Sequence, residues 1–483
     1  MAASRTQVVA KHEWRLLQAD KTLLAVALLL AAMVGYSLYN GVSWVNFQKQ
    51  TLAQAAEEES ERLTKLKQNL ADIEAGRAEP KGFQDPRSAG AIGGTTAAPY
   101  LAMPPAPLAA LAIGQSDLYP YYFKLNLRSK QAILANDEIE NPSNLLAGRF
   151  DLAFVMIFLF PLLILALGYN LISAEREQGT LVLALSQPLA LRELVTGKIL
   201  LRGAVLLGFL GLFTLGGALL SGVDLSSGDS WTRLALWLAM MTLYTSFWFG
   251  LAVWVNTYRG SSATNALTLA GGWLAFVLVL PSLANLIATS LYPVPSRVEM
   301  VQAMRSAGKE AQSKGSVLLA KYMEDHPELA PQDGNAGAAD FASVSYAVQM
   351  EVDKQVQPIL DRFDRQVSQQ QNFVDSFRFL SPAILVQGAL NDIAGTSLGR
   401  YQHFTGLVNA FFDRWQGYFL PKVFAKTKLS SAQVSEFPRY EWTEESTGNV
   451  VSRVGIALLG LLGLNALVLW AAYRRLRSVA ITN

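Results

Sequence analysis

Six stretches of about twenty residues, each free of charged side chains at its centre, set the terms on which this chain can fold. They run at 22–40, 150–173, 199–221, 232–255, 263–291 and 450–473. A helix crosses the hydrocarbon core of a bilayer in ~20 residues, and backbone placed in lipid must satisfy its own polar groups. The pattern predicts a mostly α membrane protein with six transmembrane helices. The first stretch is read as a retained span, not a cleaved signal. Tyr36, Tyr39 and Trp44 follow it, as in an interfacial aromatic belt, and no small-residue cleavage site does.

Composition agrees: 51% of the 483 residues are hydrophobic and 16% charged, against roughly a quarter charged in soluble domains. A net charge of +2 leaves no basic excess for phosphate neutralisation and argues against nucleic acid as a partner. The absence of cysteine removes disulfides, thiolate metal sites and cysteine nucleophiles. Three scattered histidines, His12, His326 and His403, do not make a metal centre.

Basic residues near the spans orient the chain. Arg5, Lys11, Arg15 and Lys21 precede the first span, and Arg176, Arg192, Lys198 and Arg202 surround the second–third connection. Arg259 lies in the fourth–fifth connection, and Arg474, Arg475 and Arg477 follow the sixth span. All fall on one side of a six-span chain, the cytoplasm by the positive-inside rule. Both termini are then cytoplasmic: an amphipathic helix at 1–21 and a tail at 474–483. Residues 174–198 and 256–262 are short cytoplasmic loops, and 41–149 and 292–449 are outward segments.

In the first outward segment, Leu52, Ala56, Leu63, Leu66, Leu70 and Ile73 form a helical stripe. The Pro-rich text from Pro80 to Pro107 is read as irregular. The alternation in "DLYPYYFKLNL" predicts a short strand. In the second, helices are predicted over Ser296–Met323 and Ala338–Phe379, around a loop with Pro327, Pro331 and Gly334. Ser381 is the N-cap of a further helix, Gly395-Thr396 breaks it from the next, and Phe404, Leu407, Val408, Phe411, Phe412 and Trp415 make a core face. The two segments together are long enough for one mostly helical periplasmic domain. Asp361, Asp364 and Asp375 are read as parts of solvated faces.

No P-loop, HExxH, GxSxG or EF-hand pattern occurs, so no enzyme activity is expected of the chain itself. The spans carry amides but no ionisable group at their centres, where coupled transporters place one. Any energy for transport is therefore expected from outside the chain. Its entry point is "LISAEREQGTLVLALSQPLALRELVTGKIL", a span that ends in charges and turns back at once into the bilayer. Read from the residues alone, these charges either stop the span among headgroups or build a protruding contact.

The segment resembles the ABC-2 type transporter permeases. There an acidic cluster, Gly-Thr-Leu, a proline and a Gly-Lys mark a cytoplasmic coupling helix seated on a separate ATP-binding subunit. The matching residues are Glu175, Glu177, Gly179, Thr180, Leu181, Pro188, Arg192, Gly197 and Lys198, and Arg176 and Gln178 belong to the same expected ATPase-coupling loop. "RTQVVAKHEWRLLQADK" resembles the connecting helix of that family, and Tyr258 and Arg259 make a candidate second ATPase contact. "PLAALAIGQSDLYP", "NPSNLLAGRFDLAFVMIFLFPLLILALGYNLISAEREQGTL" and "SPAILVQGALNDIAGTS…HFTGLVNAFFDRW" are similar to the DUF3526-type subgroup with enlarged periplasmic segments.

The resemblance implies an ABC-2 (type V) exporter-like fold in a bacterial inner membrane. It implies two ATP-binding subunits that carry ATP and Mg, a second permease, identical or paralogous, and no cofactor in this chain. It puts the second and fifth spans at the contact between permeases, with Pro161, Asn265, Trp273 and Pro281 as candidates for a translocation path or hinge. Membrane lipid and a periplasmic partner complete the expected surroundings. The alternative is a mechanotransmission subunit that passes ATP-driven motion outward without moving substrate through the membrane. A membrane enzyme or scaffold without an ATPase is a third class.

Overall fold

The computed structural model describes residues 5–19, 21–80, 85–114, 116–125, 127, 149–224, 226–325 and 341–478. The loop with Pro327, Pro331 and Gly334, His326 and all of "NPSNLLAG" lie outside the described residues.

Helix α1 (Arg5–Ala19) precedes α2, which runs unbroken from Thr22 to Glu74. At about 1.5 Å per residue this 53-residue helix is about 80 Å long. The hydropathy change near Asn40 marks a change of surroundings, not a helix end, because no proline interrupts the text that follows. The stripe on its polar half is buried at Leu66 and Leu70, half-buried at Leu52, Leu63 and Ile73, and passes through Ala55 in place of the exposed Ala56. Trp44, expected at an interfacial belt, is also buried, with the Arg149 guanidinium 4.1 Å from its ring centre.

The Pro-rich stretch holds more regular structure than expected. Between Pro86 and Pro99 the chain forms α3 (Ala89–Ala91), which widens into a π-helical turn at Ile92–Thr96. Strand β1 (Tyr100–Ala102) then pairs antiparallel with β2 (Tyr122–Lys124), Leu101 opposite Phe123. Prolines bound these elements without entering them.

Helix α4 is built in three pieces, Leu152–Phe154, a π turn Val155–Leu159 and Phe160–Gly168. Short α5 (Ser173–Glu177) and α6 (Thr180–Ser186) lead into α7 (Leu191–Leu220) and α8 (Gly228–Asn256). Helix α9 is likewise composite: Ser262–Trp273, a π turn Leu274–Val279 and Leu280–Leu291. With α15 (Thr447–Ser478), six helices among the described residues are long and apolar enough to cross a membrane, as in a multi-pass membrane protein. Helix α8 is their centre, with Trp237, Tyr244 and Trp248 fully buried.

Beyond the bundle, α10 (Arg297–Ser313) and α11 (Gly315–Asp325) are separated at Lys314, where the sequence predicted one helix. They pack on α12 (Phe341–Phe377) over Ala307, Ala311, Val352 and Val356. A 3₁₀ turn, Arg378–Leu380, joins α12 to α13 (Pro382–Ala394), and Gly395, at φ +73°, separates α13 from α14 (Leu398–Phe424). The Ser381 hydroxyl caps α13, accepting from the Ile384 amide at 3.4 Å. The aromatic face of α14 is core: Phe404, Val408, Phe411, Phe412 and Trp415 are buried against α2, α3 and the β pair, and Leu407 is half-buried. Both long segments between spans thus share one hydrophobic core.

Candidate functional site

Helix α4 stops at Gly168, leaving carbonyls at its C-terminus without helical partners. Two cations one turn apart on α7 supply them. Lys198 donates to the Leu171 carbonyl at 2.9 Å, and Arg202 donates to the Leu167 carbonyl. Positive charge at a helix C-terminus also opposes the macrodipole. Both cations are buried, so each needs a counter-charge. Glu175 of α5 pairs with Lys198, and Glu13 of α1 pairs with Arg202, whose Nε lies 2.9 Å from the carboxylate.

Helix α1 comes this close because Gly197 has no side chain. An added Cβ there would lie 2.7 Å from Val9 and 3.0 Å from the Thr6 carbonyl. On the other flank, Arg176 donates to the Gly260 carbonyl. Glu177 accepts from the Ser262 amide at 2.6 Å and its hydroxyl at 2.9 Å. Glu177 is the last residue of α5 and sits at the N-terminus of α9. Asn256 closes the layer, accepting from the Ile172 amide (3.2 Å) and from Asn265 (3.2 Å) and donating to the Gly168 carbonyl (3.1 Å).

The sequence-selected loop residues therefore separate into two groups. Glu175, Arg176, Glu177 and Lys198 hold the loop to α7 and to the α8–α9 turn. Gln178, Gly179, Thr180, Pro188 and Arg192 are exposed, with Leu181 half-buried. Gly179, at φ +72°, reverses the chain into α6, which buries none of its residues and exposes Val182 and Leu183. Glu193 accepts from the Ala190 amide at 2.9 Å and starts α7. Tyr258 is exposed under the Arg475 guanidinium, 3.9 Å from its ring centre, and Arg259 adopts φ +61° in the adjoining turn. A short apolar helix on an ion-paired base is suited to docking another protein.

The four path or hinge candidates do not form one group. Pro161 lacks the N–H that would bond the Ile157 carbonyl, and Tyr244 donates to that oxygen at 3.0 Å. Trp273 donates to the next carbonyl, Phe158, at 3.0 Å, so Pro161 and Trp273 meet at the π turn of α4. Pro281 follows the π turn of α9, where the Phe276 carbonyl accepts from Ser381 at 2.6 Å. Asn265 is remote from these, buried beside Asn256. In α4 two-thirds of the apolar window is buried within the chain, whereas α9 is mostly open on its outer side.

Sequence reasoning missed Glu13, Arg202, Tyr244, Asn256 and Ser262 as parts of these constructions. The four-residue spacing of Lys198 and Arg202 was the available signal for Arg202. The amide closing the fourth span was the signal for Asn256. The chain matches no curated protein. Residues 297–443, from α10 to the strand-free linker before α15, match the family described as a domain of unknown function, DUF3526.

Proposed function

We propose that the chain is the permease subunit of an ATP-driven ABC-2 type exporter in a bacterial inner membrane, with α6 as its contact to a separate ATP-binding subunit. The observation that carries this reading is the exposure of α6 on a latched base between the second and third spans. Two ATP-binding subunits would supply ATP and Mg chemistry, and a second permease, identical or paralogous, would complete the complex. Closure of the ATPase pair pushes α6. Through Glu175–Lys198 and Glu177–Ser262 the push reaches α7 and α9 together.

Val182→Asp with Leu183→Asp tests this on protein purified from native membranes. The variant is expected to reach the membrane but to lose its co-purifying ATP-binding subunit. Retention of that subunit with unchanged ATPase activity sinks the reading. Arg176→Ala with Glu177→Ala, which loosens the base and leaves α6 intact, is expected to uncouple ATPase activity with less effect on assembly.

One observation favours the second reading, mechanotransmission. Helix α2 continues without a break from the bundle into the outer core, so displacement at the α1 end is carried along a single rod. Distances between spin labels on the outer unit that change with ATP while span-to-span distances stay fixed would select this reading over export.

A further inference from the structure

The polar helix α12 and the 3₁₀ turn that follows it close on Phe377-Arg378-Phe379-Leu380, whose apolar members are 42%, 43% and 58% exposed. Three contacts fix the level of this tip in the bundle. Ser381, the next residue, donates to the Phe276 carbonyl at 2.6 Å. Phe276 packs edge-on against Phe247, near the middle of α8, with ring centres 5.9 Å apart. The ring of Phe379 fills the place of a side chain at Gly460, where an added Cβ would lie 2.6 Å from it.

Charged pairs close the bundle above this level. Arg453 of α15 meets Asp392 at 3.1 Å, and Arg233 of α8 meets Asp229 at 2.8 Å. Arg233 also donates to the Ile393 carbonyl at 2.9 Å, at the far end of α13. Helix α13 has 13 residues, too few to cross a bilayer, and climbs from the tip back to the charged layer. Gly460 lies seven residues past Arg453 along α15, or about 10 Å at the helical rise. The tip is therefore a re-entrant point set among apolar spans, with exposed Leu283, Leu286 and Ile287 of α9 and Leu459 of α15 on the flanking helices.

We propose that Phe377, Phe379 and Leu380 are seated in the acyl region of the adjacent lipid leaflet, anchoring the outer unit to the bilayer between α9 and α15. The surrounding chemistry fits that occupant. Backbone at this depth must be satisfied, and the Ser381 amide bonds the Arg378 carbonyl at 3.3 Å while the Ser381 carbonyl accepts from Leu385 at 3.3 Å. Arg378 reaches back towards Asp375, at 3.9 Å and one turn nearer the charged layer, as long basic side chains do at an interface. In water, this contiguous apolar edge would be a liability.

Because the chain has no cysteine, single spin labels report unambiguously. Phe377→Cys and Leu380→Cys, each of which leaves Phe379 on Gly460, are labelled in the full chain reconstituted in phosphatidylethanolamine–phosphatidylglycerol vesicles. Collision with oxygen and with a water-soluble nickel chelate is measured. Leu459→Cys, from a residue 69% exposed at the same level, is the lipid reference, and Val317→Cys, from one 67% exposed on the outer unit, is the aqueous one. Labels at 377 and 380 are expected to match 459: accessible to oxygen, with nickel collision lost relative to 317. Nickel access equal to 317 overturns the proposal by showing water at the tip. Loss of both collisions overturns it in favour of a protein cover, such as a second copy. Nickel access at 459 itself overturns it by removing α15 from the bilayer.

Discussion

The loop-bearing end of the bundle and the outer unit are assembled by opposite physical means. At the loop end, separate elements are joined by single charged contacts, two with buried cations, Glu13 to Arg202 and Glu175 to Lys198, and one exposed, Glu177 to Ser262. In the outer unit the joints are aromatic, with Trp415 and Phe419 at ring centres 4.6 Å apart and Phe437 5.2 Å from Phe419. Packed aromatics lose contact gradually and in many places. A buried ion pair has a few discrete partners and can exchange them. The difference is that between a part built to stay rigid and one whose contacts can be rearranged by a partner.

The largest effect is expected where packing carries the joint. Trp415 is fully buried and its indole donates to the Gly93 carbonyl at 3.0 Å. Trp415→Ala is expected to destabilise the outer unit by about 3–5 kcal/mol, seen as early proteolysis between α2 and α14 while the spans stay protected. Uniform loss of both regions would mean that they unfold as one, and the contrast drawn above would fall.

At the loop end, Glu13→Gln leaves the Arg202 charge buried with only carbonyl partners, at a cost of about 3 kcal/mol. Proteolytic release of α1 is expected, with the outer unit unchanged. Replacing both residues, Glu13→Leu with Arg202→Met, removes the desolvated pair and should recover much of the loss. A double variant as unstable as the single one would show that the Arg202 bond to the Leu167 carbonyl, lost in the double variant, matters as much as the charge pair.

The same contrast decides what could be read in the sequence. Span positions and the aromatic face of α14 follow from periodicity and composition, because the hydrophobic effect acts on each residue through its own surface. The Glu13–Arg202 pair joins residues 189 positions apart, and no local pattern announces such a partner. Helix α13 was legible as a helix, with Ser381 and Gly395 as its ends. Its place among the spans was not, since its length matches that of ordinary soluble helices. The loop was recognised by its residue types, yet their division into latch and display depends on Gly260 and Ser262, some eighty positions away.

Ser381 stands where the two regions meet. Its hydroxyl caps α13 and donates to the Phe276 carbonyl freed by the π turn of α9. Ser381→Ala is expected to cost about 1 kcal/mol and to loosen α9 against α13, read as faster amide exchange through Leu280–Leu291. Exchange confined to α13 would mean that the cap matters and the cross-link does not.

The smallest expected effect lies at the edge of the outer unit, where an ion pair supports packing. Arg400 is buried and grips Glu444 with two bonds of 2.7 Å, while its guanidinium lies over Trp442. Burial alone would raise the Glu444 carboxyl, but the Arg400 hydrogen bonds and charge outweigh it and hold the group below its ordinary value of 4.5. A depressed folded value means that the unfolded chain binds the proton more readily. The contribution of Glu444 is therefore full above 4.5 and is lost as pH falls through the folded value. Asp392 acts in the opposite sense: burial raises it above 3.8, so its contribution is present at low pH and fades as pH rises. Glu444→Gln isolates the first effect. The outer unit of the variant is expected to be less stable than the parent at neutral pH and to approach it in acid, in thermal unfolding followed by tryptophan emission. Parallel curves at all pH values would assign Arg400 to its Pro104 carbonyl and Trp442 contacts, leaving the outer unit held by packing right up to its edge.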